Sequence, residues 1–188
     1  MHKLFIEQDE AVGHAVRAGY LYSGAADVAA LTGDKDYEKT LNKIWEDVVY
    51  RKLYLTGGTG AQGGNEGFGA PYVLPNSSAY CETCASISDV FWNQRMFLLE
   101  GNAKFYDVLE RTLYNGVISG VSLSGDRFFY PNPLASFGGT LRSEWFECAC
   151  CPPNLARLLP SLPGYVYATK GNDVYVNLFI QSEAKINL

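Results

Sequence analysis

The strongest constraint on the fold is a helix–glycine–cap–helix pattern that occurs twice, at a constant offset of 68 residues. The first copy consists of Leu31, Gly33, Asp34, Tyr37 and Leu41, and the second of Leu99, Gly101, Asn102, Phe105 and Leu109. In each copy the glycine can end one helix, and the Asp or Asn can cap the next. Matching hairpins at a fixed offset are typical of αα units stacked in a solenoid or a closed toroid.

Apolar spacing predicts the helices on either side of these caps. An alanine-rich run over residues 10–31 and a second run over 86–99 predict the first helix of each hairpin. The partner helices show apolar residues three and four positions apart. These residues are Tyr37, Leu41, Ile44, Trp45, Val48 and Val49 in the first hairpin, and Phe105, Val108, Leu109, Thr112, Leu113 and Val117 in the second.

The pattern changes after Gly120. Residues 127–130 predict a short strand or an extended segment entering a turn, and residues 154–162 predict one short helix. Three strands are expected over 164–169, 173–180 and 183–188, with a hairpin turn at 170–172. Since a sheet of this kind needs more strands, we expect the C-terminal sheet to be cut short.

Composition excludes several functional classes. The 188 residues carry a net charge of −5 and only 19% charged residues, which argues against disorder. Without a Lys/Arg block, neither nucleic acid nor an anionic membrane surface is expected as a partner. No apolar run reaches the ~18 residues of a membrane-spanning helix. The residues from Met1 to Phe5 lack a signal-peptide core. The compartment stays open, with the cytoplasm slightly favoured by free thiols.

Five cysteines lie in two clusters, Cys81–Cys84 and Cys148–Cys151. Each cluster directly precedes a helical run, and Pro152 makes Cys151 the expected cap of the second helix. Because helix N-termini favour thiolates, the clusters predict a zinc site with three or four sulfur ligands. Two alternatives remain. Disulfides between the clusters would leave one thiol free, while adjacent Cys150 and Cys151 are too close for an ordinary bridge. Cys81 and Cys148 can also be inert.

A glycine-rich stretch over residues 57–69 contains Gly58, Gly60 and Gly63 in the G-x-G-x-x-G spacing. No strand precedes it and no helix follows it, so a dinucleotide site is excluded, and no Lys-Ser/Thr ends it as in a phosphate loop. The remaining feature is Glu66, whose small neighbours would let its carboxyl group approach a ligand closely. A solvated loop acid is the alternative.

Three motifs resemble glycoside hydrolase family 127, the β-L-arabinofuranosidases with a zinc-bound cysteine nucleophile. They are Gly64-Asn-Glu-Gly-Phe-Gly69, Tyr80-Cys-Glu-Thr-Cys-Ala85 and Glu147-Cys-Ala-Cys-Cys-Pro-Pro-Asn154. The resemblance implies a mainly α fold, part of an (α/α)6 barrel built of αα hairpins, followed by the first strands of a β-sandwich domain. Residues 1–162 would be the C-terminal part of the catalytic barrel, and residues 163–188 the start of a truncated sandwich.

The same resemblance implies roles for seven residues. Cys150 would be the nucleophile, and Glu66 the general acid/base. Glu82, Cys84, Cys150 and Cys151 would hold Zn2+. His14 and Tyr130 match family positions that touch the sugar, although without the resemblance both would be assigned to packing.

The implied reaction is retaining hydrolysis of β-L-arabinofuranosides in plant glycans, on an arabinose-containing oligosaccharide or glycoconjugate. Since the barrel needs about twelve helices and the sequence predicts about five, we expect this polypeptide to be a piece of the catalytic domain, poorly active alone. A non-catalytic, zinc-stabilised helical module is the alternative. Epimerases and uronide hydrolases with helical barrels are disfavoured because the only histidines are His2 and His14. The oligomeric state stays open.

Overall fold

Two helical hairpins, over residues 15–51 and 83–120, are the main elements of the computed structural model, which describes residues 3–188. The first consists of α1 (Ala15–Thr32) and α2 (Lys35–Arg51). The second consists of α3 (Thr83–Glu100) and α4 (Lys104–Thr112), followed by a π-helical turn (Leu113–Val117) and a 3-10 turn (Ile118–Gly120). The predicted hairpins are confirmed. Met1 and His2 lie outside the described residues; they belong to the N-terminal segment that was predicted to lack a signal-peptide core.

The two glycines predicted to end α1 and α3 have nearly the same backbone geometry. Gly33 (φ 71°, ψ 19°) and Gly101 (φ 72°, ψ 19°) both adopt the left-handed conformation that glycine accepts without strain. Asp34 caps α2, because its Oδ1 accepts from the backbone N–H groups of Asp36 (2.9 Å) and Tyr37 (3.2 Å). Asn102 Oδ1 accepts from the N–H of Lys104 at 3.1 Å. The glycine ends therefore repeat in geometry, whereas the predicted cap at Asn102 is wrong by one residue: Ala103 occupies the cap position of α4 and makes no side-chain cap hydrogen bond.

The start of α1 differs from the prediction, which placed it at Glu10. The helix begins at Ala15, after a 3-10 turn at Phe5–Glu7 and an irregular segment in which Gly13 has φ +77°. The backbone N–H of Ala11 donates to Asp47 Oδ2 at 2.8 Å instead of to a helical carbonyl. Tertiary contacts thus replace the helical hydrogen bonds of this segment. The α3 helix starts three residues earlier than predicted, at Thr83.

The core lies where α1 packs along α3, with α2 and α4 flanking them. Gly19 permits this approach, since a Cβ there would lie 2.3 Å from Ser88 Oγ. Both predicted apolar faces point into the core, although Tyr37 and Val49 are only half-buried. The largest fully buried side chains of the helical hairpins are Trp45, Trp92, Phe105, Leu41, Ile44, Ile87, Met96, Leu109 and Leu113.

The C-terminal region begins with α5 (Cys151–Leu158), a 3-10 turn (Leu159–Ser161) and the four-residue α6 (Pro163–Val166). The predicted cap at Cys151 is wrong by one residue: Cys150 occupies the cap position and Cys151 begins the helix. Helix α5 also starts three residues before the predicted Asn154, because proline is compatible with the first helical turn. The shift matters for the site, since it moves Cys151 into the first turn.

A two-stranded antiparallel sheet closes the described chain. It pairs β1 (Tyr167–Lys170) with β2 (Asp173–Val176) across the predicted turn. The second strand ends before the predicted 180. Residues 183–188 form no strand, because no neighbouring strand within residues 3–188 offers them hydrogen-bond partners. The extended segment over 127–130 is confirmed as isolated bridges from Phe128 to Val121 and Ser143. The barrel, the sandwich and the boundary at 162 stay predictions.

Across residues 3–188, none of the helices combines the length and hydropathy that membrane crossing requires.

Candidate active site and metal centre

The two cysteine clusters meet at the facing N-termini of α3 and α5. Ligand atoms of Glu82, Cys84, Cys150 and Cys151 all lie within 4.8 Å of one another. The Sγ atom of Cys151 lies 3.3 Å from that of Cys84 and 3.8 Å from that of Cys150. All five cysteines are free thiols, so the disulfide alternative is wrong. The four residues predicted as ligands therefore lie close enough together to hold one ion.

This donor set fits a tetrahedral metal site. With metal–sulfur bonds of about 2.3 Å and metal–oxygen bonds of about 2.1 Å, neighbouring ligand atoms would lie about 3.5–3.8 Å apart. Oε1 of Glu82 lies 3.2 Å from Cys150 Sγ and 3.7 Å from Cys151 Sγ. Its Oε2 is buried with no hydrogen-bond partner among the described residues, and such an atom is costly unless a cation compensates it. The residues therefore fit a soft divalent ion.

The electrostatics of the cluster lead to the same conclusion. Burial and the adjacent thiol of Cys150 raise the pKa of Glu82 to about 8. Hydrogen bonds with Cys150 raise the pKa of Cys84 and of Cys151, whereas hydrogen bonds from those two thiols lower the pKa of Cys150. Cys150 is thus the thiol that ionises first. Ionisation of all four groups together requires a positive charge among them, and a divalent cation supplies it.

Glu66 lies in a second cluster beside the first. Its Oε2 lies 2.9 Å from His14 Nε2, and its Oε1 accepts a 2.9 Å hydrogen bond from Tyr80 Oη. Ligand atoms of His14, Glu66 and Glu82 fall within 4.8 Å of one another, which joins the two clusters. The sequence placed Tyr80 in a motif but predicted no role for it. Its position two residues before Glu82 was the available signal, because an extended segment keeps alternate residues on one side.

The backbone around Glu66 is built for close approach. Glu66 itself has φ +52°, and Gly67 follows it. A Cβ at residue 67 would lie 2.4 Å from the carbonyl oxygen of Gly13, so only glycine fits there. The N–H of Phe68 donates to that carbonyl at 2.9 Å, and the N–H of Ala15 donates to Glu66 O at 3.0 Å. These bonds set Glu66 opposite His14.

Tyr130 lies beside the two clusters and contacts two other aromatic rings. Its ring makes edge contacts with Tyr80 (centroids 6.2 Å apart) and Phe146 (5.5 Å). Its carbonyl accepts from the N–H of Thr83 at 3.1 Å. Burial and, to a smaller extent, hydrogen bonding with Cys150 raise the pKa of the Tyr130 hydroxyl. The structure thus brings all seven residues singled out from the sequence to one place.

Asn154 contacts the cysteine cluster, a role that the sequence did not predict. Its Nδ2 donates to Cys84 Sγ at 2.9 Å, while its Oδ1 accepts from Tyr20 Oη (3.0 Å) and Arg157 Nη2 (2.8 Å). Because two donors occupy the amide oxygen, the NH2 group is turned towards the sulfur. The guanidinium of Arg157 also stacks on Phe91, 4.9 Å from the ring centroid.

The two remaining cysteines lie apart from this site, as expected. Cys148 is exposed. Cys81 is buried, with φ +41°, and its N–H donates to Gly60 O at 2.8 Å. Burial raises the pKa of the Cys81 thiol to about 12, which suits an inert packed residue.

Residues 1–164 match the family model described as the beta-L-arabinofuranosidase, GH127 catalytic domain. A curated non-reducing end beta-L-arabinofuranosidase from Bifidobacterium longum subsp. longum is 40% identical over 95% of this chain and 29% of its own length.

Two solved structures superpose closely on the chain. One, described as a GH127 beta-arabinofuranosidase, is 65% identical with a TM-score of 0.93, covering 95% of this chain and 28% of its own. The other, a GH127 beta-L-arabinofuranosidase from Geobacillus stearothermophilus T6, is 45% identical with the same TM-score of 0.93, covering 95% and 30%. The chain thus spans less than a third of the length of these relatives. With a family match over almost its entire length, the chain belongs to the GH127 family.

Proposed function

We propose that the protein is a retaining glycoside hydrolase that cleaves β-L-arabinofuranosides, with Cys150 as nucleophile and Glu66 as general acid/base. Two groups in neighbouring clusters carry the proposal. One is the Cys150 thiol, whose pKa is lowered by two neighbouring thiols, and the other is the Glu66 carboxyl group, which is held through both of its oxygens. A retaining glycosidase needs one nucleophile and one proton donor beside the same glycosidic bond. Relatives described as arabinofuranosidases support the sugar.

Glu82, Cys84, Cys150 and Cys151 would hold Zn2+. When bound, zinc keeps the sulfur ligands deprotonated at neutral pH and lowers their basicity, which helps Cys150 act first as a nucleophile and then as a leaving group. The N-termini of α3 and α5 add their partial positive charges to the same region.

The first step forms a bond between Cys150 Sγ and the anomeric carbon while the glycosidic carbon–oxygen bond breaks. The proton of the Glu66 carboxyl group moves to the departing oxygen. In the second step Glu66 takes a proton from water, the water oxygen bonds to the anomeric carbon, and the carbon–sulfur bond breaks with its electron pair returning to Sγ. Two inversions give net retention.

The surrounding residues orient these groups. His14 and Tyr80 each hold one oxygen of Glu66, which restricts the carboxyl group to one direction. We also assign His14 and Tyr130 to contact with the bound sugar, because both lie at the edge of the two clusters and are only partly buried. The substrate would be an arabinose-containing oligosaccharide or glycoconjugate.

Kinetics of two variants test the proposal in the full-length protein. Cys150→Ser and Glu66→Gln should each reduce hydrolysis of an aryl β-L-arabinofuranoside by about 10²–10⁴-fold, the usual contribution of such groups. Cys148→Ser is the matched control: it changes an exposed thiol outside the site and should leave the rate unchanged. Wild-type turnover by Cys150→Ser would contradict the assignment of the nucleophile.

Metal analysis with thiol counting tests the ligand set independently. We expect about one zinc per chain, with three thiols protected from alkylation until a chelator is added. The exposed Cys148 should react in either state. A protein without metal that contains two disulfides would overturn the site, whereas bound zinc without hydrolysis would support the non-catalytic module.

A further inference from the structure

Glu82 belongs to two groups of potential metal ligands, and only the group with the three thiols holds the ion proposed for catalysis. The other group consists of His14, Glu66 and Glu82, whose ligand atoms lie within 4.8 Å of one another. Zinc bonds of about 2.0–2.2 Å to nitrogen and oxygen place the ligand atoms of one ion about 3.3–3.6 Å apart, so this group is within reach of that geometry. We call it the His14–Glu66–Glu82 cluster.

The two oxygens of Glu82 have different surroundings. Oε1 lies 3.2 Å from Cys150 Sγ and 3.7 Å from Cys151 Sγ, which is the spacing of ligands that share one ion. Oε2 has no hydrogen-bond partner among the described residues, although Glu82 is only 2% exposed. An ion held through Oε1 leaves this buried oxygen unpartnered, which is costly. Because the two oxygens of a carboxylate can bind two different ions, Oε2 indicates a second cation.

His14 also has a nitrogen without a partner. Its Nε2 lies 2.9 Å from Glu66 Oε2, and its Nδ1 is buried with no hydrogen-bond partner within residues 3–188. When Nε2 donates its proton to the carboxylate, Nδ1 keeps an unshared electron pair. Imidazole nitrogens and carboxylate oxygens are both ligands of zinc, and a set of three protein ligands leaves one position for water.

The charge of the region favours a second cation. Three thiolates and the Glu82 carboxylate carry four negative charges against the two positive charges of the first ion, and the Glu66 carboxylate lies beside them. In the described part of the chain, neither Glu66 nor Glu82 forms an ion pair with a lysine or an arginine. Negative groups this close repel one another, and a divalent cation between them removes the repulsion.

We propose that the His14–Glu66–Glu82 cluster binds a second zinc ion when zinc is in excess, and that this ion inhibits hydrolysis. A zinc-bound Glu66 carboxylate no longer carries the proton that the departing oxygen needs. The inference rests on the proposed function, because inhibition by this route requires Glu66 to be the general acid/base. It adds control by the concentration of free metal to that function.

Counting bound ions tests the second site independently of activity. The full-length, zinc-loaded protein is dialysed against buffers of increasing free Zn2+, and the bound zinc is measured by atomic spectroscopy. We expect one ion per chain at low free zinc and two at higher free zinc. Glu66→Gln and His14→Ala each remove a ligand of the second ion alone. Each should weaken the second binding step by at least about tenfold, because even groups that only orient a ligand contribute that much.

Glu46→Gln is the matched control for the loss of a carboxylate. Glu46 is exposed on α2 and belongs to neither group of ligands, so both binding steps should be unchanged. Wild-type protein that binds a single ion up to millimolar free zinc would overturn the second site. Equal binding of two ions by Glu66→Gln, His14→Ala and wild type would overturn it too, because the second ion would then lie elsewhere. Both outcomes leave the proposed function intact.

Kinetics connect the second ion to inhibition. Hydrolysis of an aryl β-L-arabinofuranoside by the wild-type protein should fall at the free zinc concentration that adds the second ion. A weak chelator that leaves the first ion bound should restore the rate. Full activity with two ions bound would contradict the inhibitory role. Absence of the first ion would instead refute the ligand set proposed for catalysis, and two bound ions in a wild-type protein that hydrolyses nothing would refute the proposed function.

Discussion

The side-chain amide of Asn154 donates a 2.9 Å hydrogen bond to the sulfur of Cys84, across 70 residues of sequence. Tyr20 and Arg157 bind the amide oxygen and so determine which end of the amide faces the sulfur. Hydrogen bonds of this kind orient metal ligands and tune their charge. One proposed ligand, Cys151, thus begins helix α5, a second, Cys150, lies at its cap position, and Asn154 within the helix orients a third.

Asn154→Ala should weaken metal binding by about 10–100-fold, the usual effect of removing a group that orients a ligand. Chelator competition measures the dissociation constant, and substitution with Co2+ would report a shift in the sulfur charge-transfer bands. Asn115→Ala is the control, because Asn115 is exposed and its side-chain amide donates to the carbonyl of Arg111, away from the cysteine clusters. Equal metal affinity in wild type and Asn154→Ala would show that the contact does not tune the site.

The buried carboxyl group of Asp89 should make stability depend on pH. Burial raises the pKa of Asp89 from 3.8 to about 7, so the folded protein binds its proton more tightly than the unfolded chain does. This group therefore stabilises the fold most below pH 4. That contribution decreases as pH rises from 4 to 7 and stays constant above 7.

Asp89→Asn removes this dependence, so its free energy of unfolding relative to wild type should increase between pH 4 and pH 8. The increase has an upper bound of about 4 kcal/mol, from about 1.4 kcal/mol per pKa unit. Urea unfolding of both proteins across this pH range provides the measurement. Parallel curves for the two proteins would refute the assignment.

Lys52 and Asp47 form a buried ion pair, with Nζ 2.8 Å from Oδ2, and both side chains are at least 97% buried. Lys52→Met should destabilise the protein by about 3–5 kcal/mol, because it leaves the Asp47 carboxylate without its close partner. The exposed pair of Lys35 with Glu38 supplies the control: Lys35→Met should change the free energy of unfolding by less than about 1 kcal/mol. Similar losses in the two variants would mean that burial of the pair is unimportant.

The ion pair also bears on the site. Lys52 donates to Ala11 O at 2.7 Å and Asp47 accepts from Ala11 N, which fixes the segment that leads to His14. Lys52→Met should therefore reduce activity as well as stability.

Two glycines of α1 should respond in opposite directions to the same substitution. Gly19→Ala would place a Cβ 2.3 Å from Ser88 Oγ, so separating α1 from α3 should cost about 1–3 kcal/mol. At Gly24 the space is open, and Gly24→Ala should stabilise the helix by up to about 1 kcal/mol. Thermal unfolding of the two variants measures both changes in stability. A stabilised Gly19→Ala would contradict the close packing of α1 on α3.

Local sequence was sufficient for features that depend on neighbouring residues. Gly33 and Gly101 adopt the left-handed conformation, and Asp34 caps α2, because these properties depend on residues within one helical turn. The apolar faces of α2 and α4 were predictable for the same reason. The motif around Cys84 and Cys151 indicated a metal site because few other chemistries need so many thiols at helix N-termini.

Features that depend on distant residues were not predictable in this way. Helix α1 starts at Ala15 rather than Glu10 because Asp47 and Lys52, on the next helix and just beyond it, bind the backbone of Ala11. Tyr80 and Asn154 show no local periodicity that distinguishes them from other loop or helix residues. Their partners lie 14 and 70 residues away in the sequence.

The sequence by itself determined the two helical hairpins with their glycine ends, and its resemblance to a known family singled out the thiols and the acid that the structure brings together. Tertiary structure decided which atoms face one another: that Glu66 lies between His14 and Tyr80, and that Asn154 turns its amide towards Cys84. The reason is physical. Capping and periodicity are set within a few residues, whereas a side chain's partners are set by how α1, α3 and α5 pack together.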